Sequence, residues 1–165
     1  MYKRQVQIDG VSVAGAVANA ATGEVFSAAR GQGAVVTRDG TRTALRCNVI
    51  DELPMALVAT GFAYARERRR QQAGAVAELL AEVRDIRRVG SCALDLCMVA
   101  AGRLDAYFES GVHVWDWAVA ALVAEEAGAV VRLPAPGADD DDLVIAAAPG
   151  VAAALARQLA RVGYR

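Results

Sequence analysis

Residues 90–128, GSCALDLCMVAAGRLDAYFESGVHVWDWAVAALVAEEAG, decide the reading of this chain, because they set polar groups at fixed intervals in an apolar background. Glu109 and Asp116 lie seven positions apart, with Gly111 between them and Trp115 immediately before Asp116. Residues 117–127 are rich in Ala, Val and Leu and suit a buried helix, so Asp116 is expected to open that helix. A carboxylate at a helix N-terminus is favoured by the helix dipole and can face a cleft. Spacing alone leaves open that Asp116 only caps the helix and that Glu109 is an exposed strand residue.

Working outward, Ser91 is placed to cap a helix reaching about residue 101, residues 104–109 read as a strand, and residues 85–89 as the strand before Gly90. Upstream, Asp-Gly between apolar runs is the strongest short-range hairpin signal, so residues 6–8, the Asp9-Gly10 turn and residues 11–17 form a hairpin. Thr22-Gly23 turns into a strand over residues 24–29, residues 30–34 form a loop, and Asp39-Gly40 closes another tight turn. The first fifty residues are thus an antiparallel meander. A β-rich run at residues 55–60 ends at Gly61, and residues 64–84 have helical composition. Downstream, residues 129–133 and 143–147 read as strands and residues 151–162 as a helix. Pro134 and the acidic run Asp139, Asp140, Asp141 and Asp142 read as a solvated surface loop, since a consecutive acidic run lacks the interleaved ligand spacing of a calcium loop. The expected fold class is α+β: a meander over residues 1–54, then a mixed sheet with helices over residues 55–165.

At 165 residues the chain is of single-domain size and could bury about two thirds of its unfolded surface. No apolar run approaches the roughly 20 residues of a membrane-spanning helix. A net charge of −1 gives no electrostatic reason to propose nucleic acid or a membrane surface as partner. Arg66, Arg68, Arg69 and Arg70 form the one basic cluster, read as the solvated start of a helix. Cys47, Cys92 and Cys97 make no C-x-x-C pair, which points to reduced, mostly buried thiols in a cytoplasmic compartment. The sequence opens directly into the alternation of Val6, Gln7 and Ile8, with no apolar leader before a small-residue cleavage site. A truncated start is therefore expected.

The arrangement G-S-x-A-L-D-L-C-x-V-A-x-G-R-x-D-A-Y-x-E-x-G-x-x-x-W-D-x-A, followed by E-A-G at Glu126, Ala127 and Gly128, resembles the C-terminal signature of the inositol monophosphatase family of metal-dependent phosphatases. The match is long and ordered, and with the upstream hairpin it extends from Val6 to the last helix. The resemblance implies a layered αβ sandwich of the sugar-phosphatase type with its N-terminal part missing. It also implies a magnesium-dependent, lithium-sensitive homodimer acting on myo-inositol monophosphate or a similar small polyol phosphate.

Hydrolysis of a phosphomonoester calls for charge neutralisation on phosphoryl oxygens and an activated water, which two metal ions about 4 Å apart can supply. In the family, the ions are held mainly by an upstream glutamate and by the two aspartates of a D-P-[IL]-D-G-T signature. The aspartate of the later W-D pair, here Asp116, adds a ligand and touches substrate. The resemblance places Gly90, Ser91 and Cys92 on the polyol pocket and makes Glu109 an acceptor for its hydroxyls. Cys92 departs from the small alanine often found there. Ile8-Asp9-Gly10 copies part of the metal signature but lacks the leading Asp-Pro and has Val11 in place of threonine, so Asp9 is assigned to a turn. With Asp116 alone of the metal ligands, the chain by itself is expected not to turn over substrate.

Other polar residues receive plainer readings. His113 is a loop residue beside the cleft, Asp95 has a structural hydrogen-bonding role, Cys97 is core, and Trp115 and Trp117 pack around and shield Asp116. Related substrates, namely adenosine 3′,5′-bisphosphate, fructose bisphosphate and histidinol phosphate, stay open, as does a non-catalytic polyol-binding or dimerising module.

Overall fold

Both Asp-Gly pairs turn the chain as their chemistry requires. In the computed structural model, which describes residues 1–135 and 142–164, Asp9 and Gly10 have φ of 49° and 78°, and Asp39 and Gly40 have 50° and 75°. Two successive residues in the left-handed region match the twist of an antiparallel pair, and Asp and Gly tolerate that region best. The first turn joins β1 (Tyr2–Ile8) to β2 (Val11–Asn19), and the second joins β4 (Ala34–Arg38) to β5 (Thr41–Ala44). With β3 (Glu24–Ala29) between them, the five strands form one antiparallel sheet in sequence order.

A short 3-10 turn at Leu53–Met55 leads into β6 (Leu57–Thr60). Then follow α1 (Arg66–Leu80), β7 (Asp85–Arg87), α2 (Cys92–Ala100), β8 (Ala106–Ser110), α3 (Val114–Glu126), β9 (Val130–Arg132), β10 (Leu143–Ala147) and α4 (Pro149–Arg161). Strands of this half form a second sheet in the order β7-β6-β8-β10-β9. β6 runs parallel to both β7 and β8, whereas β10 is antiparallel to β8 and β9. Of the acidic run, Asp139, Asp140 and Asp141 lie outside the described residues.

The layers follow from which faces are apolar. Val17, Phe26, Ala28 and Ala34 of the first sheet share a core with α2, α3 and one face of the second sheet, which supplies Ala59, Tyr107, Val144 and Ala146. Helices α2 and α3 are covered on both sides, which is why they carry apolar residues nearly all round. On the other face of the second sheet, Val58, Ala106, Phe108 and Ile145 pack against Leu79 of α1 and Val151, Leu155 and Leu159 of α4. The i, i+4, i+8 spacing on α4 makes it a one-sided helix, apolar toward the sheet. The result is sheet, helix pair, sheet, helix pair, the layered α+β arrangement expected from the sequence.

Charged side chains tie the layers together. The Glu126 carboxylate, at the end of α3, accepts the backbone N–H groups of Gly31 and Gly33 at 2.8 Å each. Arg103, in the turn after α2, pairs with the buried Glu24 on β3 and lies over the Phe26 ring.

Candidate active-site cleft

β6 is the point where the winding reverses. From it the chain passes through α1 to β7 on one side, then through α2 to β8 on the other, so the carboxyl ends of β6 and β8 diverge around a crevice. Ligands of α/β sheets sit at such reversals. Here the crevice is a cleft of about 650 Å3. Gly90, Ser91, Cys92, Glu109 and Asp116, which the resemblance brings together, all line it. The walls are completed by the segment after β6, by Arg68 and Arg88, and by Lys3 of β1. Arg68 and Ser110 also border a second cavity, of about 580 Å3, between α1 and the end of α4. That one holds none of the five residues, so the first is the candidate site.

Alternation along β8 turns Tyr107 and Glu109 toward α2, while Ala106 and Phe108 face α4. Glu109 Oε2 accepts the hydroxyl of the fully buried Tyr107 at 2.6 Å. Burial pushes the Glu109 carboxyl up, and the Tyr107 hydroxyl and the Arg88 guanidinium oppose that shift. Its carboxylate rests directly on Gly61, where any β-carbon would come within 2.1 to 2.2 Å of the carboxylate carbon and both oxygens. Gly61 is thus a seat for the Glu109 head. Gly61→Ala is expected to dislodge that head, cost about 1 to 2 kcal/mol through the stranded Tyr107 hydroxyl, and abolish the low-field proton resonance of the Tyr107 hydroxyl in NMR spectra. Persistence of that resonance would refute the seat.

Ser91 caps α2, its Oγ accepting the Leu94 N–H at 3.4 Å. Cys92 starts the helix, and burial pushes its thiol up to about 12. A thiol held neutral in this way is a weak nucleophile. It can contribute its surface and its S–H to the cleft.

Asp116 does not open α3, contrary to the expectation from composition. The helix begins at Val114 behind His113, and Asp116 occupies the third helical position, where Oδ2 accepts the His113 N–H at 3.3 Å. An acid at that position satisfies a free N–H of the first turn as well as an N-cap would, and the dipole argument survives the shift. Its other oxygen, Oδ1, lies 3.3 Å from the Lys3 ammonium, and 37% of the side chain is exposed. The carboxylate therefore remains open to the cleft.

Three further expectations change. Trp115 does not shield Asp116: it is 61% exposed and packs tilted against His113, ring centres 4.6 Å apart, while Trp117 turns away to another hollow against β2. Arg68 leaves the solvated face of its cluster for the cleft, because helical periodicity cannot keep four clustered residues on one side. Asp95 has only the Ser91 N–H as a donor acting on its carboxyl, for among the described residues neither buried oxygen has a partner at ordinary hydrogen-bond geometry. The sequence reading also passed over Gly61, Tyr107, Arg88 and Lys3. Tyr107 was within reach of it, two positions before Glu109 on one strand and hence on the same face.

Magnesium demands several converging oxygen ligands in octahedral order. Asp116 offers one carboxylate, and among the described residues no group of three or more His, Cys, Asp or Glu side chains is placed to hold a metal ion. The residues present do not on their own fit the ion. They do fit a hydroxylated ligand: a half-buried carboxylate acceptor, a helix N-terminus and flanking guanidinium groups.

A profile of the inositol monophosphatase family matches residues 6–163. Inositol-1-monophosphatase of Mycobacterium leprae is 57% identical over 157 residues, covering 94% of this chain and 54% of that protein. Mycobacterium tuberculosis SuhB superposes with a TM-score of 0.91 at 51% identity, over 98% of this chain and 64% of that one. Inositol monophosphatase from Anabaena (Nostoc) sp. PCC 7120 superposes with a TM-score of 0.85 at 32% identity, over 97% of this chain and 66% of that one. The chain spans about half the length of the curated relative, 54% of it. By profile, identity and layered fold, it belongs to the inositol monophosphatase family.

Proposed function

We propose that this chain carries the polyol-recognising side of a phosphomonoesterase that cleaves myo-inositol monophosphate or a similar small polyol phosphate. The observation that carries the reading is the Glu109 carboxylate, anchored by Tyr107 and seated on Gly61, in one cleft with the N-terminus of α2 and Asp116. A carboxylate so fixed accepts hydroxyl protons in defined directions, which suits a polyol. Gly90, Ser91 and Cys92 bound the ring, and Asp116 faces the phosphate side. The same reading carries magnesium dependence with Asp116 as one ligand, lithium sensitivity, a homodimer and a cytoplasmic location for the whole enzyme.

With one candidate magnesium ligand, the chain as given is expected to bind the ion weakly and to release no phosphate from myo-inositol 1-phosphate. Saturation-transfer NMR should still detect myo-inositol, and Glu109→Gln should remove that signal. Magnesium-dependent phosphate release that disappears in Asp116→Asn would overturn the account of the metal site. Absence of any polyol signal in the wild type would overturn the recognition role. An in-frame D-P-[IL]-D-G-T upstream of Met1 in the genomic DNA supports the enzyme, whereas a stop codon behind a ribosome-binding site supports a non-catalytic module.

A further inference from the structure

We propose that Asp95 keeps its proton in the folded protein on the acid side of neutrality and, as a neutral acid one helical turn beneath the cleft, is the positioning residue that leaves Glu109 the ionised carboxylate presented to ligand hydroxyls. The role given to Glu109 rests on the polyol reading; the protonation of Asp95 does not.

Asp95 sits on α2 one turn beyond the cleft-lining Ser91, its N–H bonded to the Ser91 carbonyl at 2.8 Å. Only 1% of the residue is exposed, and among the described residues neither carboxyl oxygen has a partner at ordinary hydrogen-bond geometry, the Ser91 N–H being the one donor that acts on it from outside that range. An ionised carboxylate accepts and never donates, so burying it with no well-placed donor carries most of the desolvation penalty. The protonated acid escapes most of that penalty and gains a donor of its own. Glu109 is its counterpart in the same region and differs in one decisive respect, the Tyr107 hydroxyl at 2.6 Å. Where the charge of one carboxyl bears on another, the one with the well-placed donor ionises first and the other holds its proton to higher pH.

Its surroundings agree. Burial first, and then the charge of Glu109 on β8, push the Asp95 carboxyl up to about 7; the Ser91 N–H and the Arg88 guanidinium oppose this without reversing it. Cys92 on the same helix and Tyr107 on β8 are held neutral by their own burial. Asp116 on α3 acts on Glu109 and Cys92, and Lys3 of β1 lies 3.3 Å from it.

Carboxyl carbon NMR on the intact chain, titrated without substrate, tests the assignment. The expected midpoint for Asp95 is near 7, with Glu109 ionising first. Asp95→Asn mimics the neutral acid and should leave the Glu109 midpoint unmoved. An Asp95 midpoint in the ordinary range of about 4, or a Glu109 midpoint that falls in Asp95→Asn, would overturn the proposal. Stability gives a second reading. A carboxyl raised on folding contributes stability below its unfolded value of about 4 and loses it as pH rises through the folded one, so Asp95→Asn should match wild type at about pH 4 and exceed it at about pH 8. Equal differences at both values would count against the idea. If Asp95 titrates as expected while myo-inositol fails to bind, the polyol reading falls and the proton assignment stands.

Discussion

Arg103→Met should cost the fold about 3 kcal/mol at neutral pH and reverse the sign of its acid response. Glu24 is 4% exposed and takes both guanidinium nitrogens of Arg103, with the Thr22 hydroxyl adding a third donor at 2.9 Å. The Arg103 hydrogen bonds hold the Glu24 carboxyl down at about 2 against the opposing effect of burial. A displacement of that size corresponds to about 3 kcal/mol, somewhat less after solvent screening, because the Arg103 side chain is 46% exposed. In the wild type this contribution is fully present above the unfolded value of 4.5 and is lost as pH falls through the folded value of about 2. In the variant, Glu24 keeps its burial and loses its main partner. Its carboxyl then rises instead of falling, so the variant gains stability relative to wild type as the solution is acidified. Urea midpoints for both proteins at about pH 7 and about pH 3 decide the matter. A gap that stays constant between the two would show that Arg103 acts only through its packing on Phe26.

The parts of the fold that could be read from sequence are those fixed within a few residues. Asp9-Gly10 and Asp39-Gly40 specify their turns because the required backbone angles are local properties of those two residues. The five cleft residues were found as a group because an ordered motif retains their spacing, although nothing in that spacing shows where the carbonyls and helix ends lie. Properties of contact were out of reach. Asp116 was placed at the N-cap on residue preference, and the structure instead puts it at the third position, where an acid is equally at home. Asp95 was given a hydrogen-bonding role on the general expectation that buried polar atoms are paired. Among the described residues neither of its oxygens has a partner at ordinary hydrogen-bond geometry, an exception set by packing and not by spacing. Gly61 was legible as the end of a strand but not as a seat, since its partner Glu109 arrives from a strand 48 positions later, as 109 less 61 shows.

The cleft depends on backbone approach as much as on its charged groups. Its two carboxylates reach it from different layers, Glu109 from the second sheet and Asp116 from a helix lodged between the sheets. Any change in the separation of the first sheet from α3 therefore moves one carboxylate relative to the other.

Gly15→Val is the sharpest way to change that separation, and it should destabilise the protein by about 3 kcal/mol. Gly15 lies on β2, paired with Gln5 and Ala28, and a β-carbon there would stand 2.3 Å from Val119 Cγ2 of α3 and 2.6 Å from the Arg4 carbonyl oxygen. Neither neighbour yields easily: Val119 is 1% exposed and stiff about χ1, and the carbonyl belongs to a paired strand. Valine therefore separates α3 from the sheet. Val119 is one helical turn after Asp116, so the same movement draws the Asp116 carboxylate away from Lys3, now 3.3 Å distant. Gly15→Ala combined with Val119→Ala removes the Cγ2 clash and leaves the closer approach to the Arg4 carbonyl and a 3.1 Å contact with the β-carbon of residue 119. The pair should accordingly recover part of the loss, with a coupling of about 1 kcal/mol or more in a double-mutant cycle. Denaturant midpoints measure the cost, and the chemical shift of the Asp116 carboxyl carbon reports the movement. If Gly15→Val unfolds at the wild-type midpoint, the close approach of β2 and α3 does not set the position of Asp116, and the two carboxylates are held in register by some other contact.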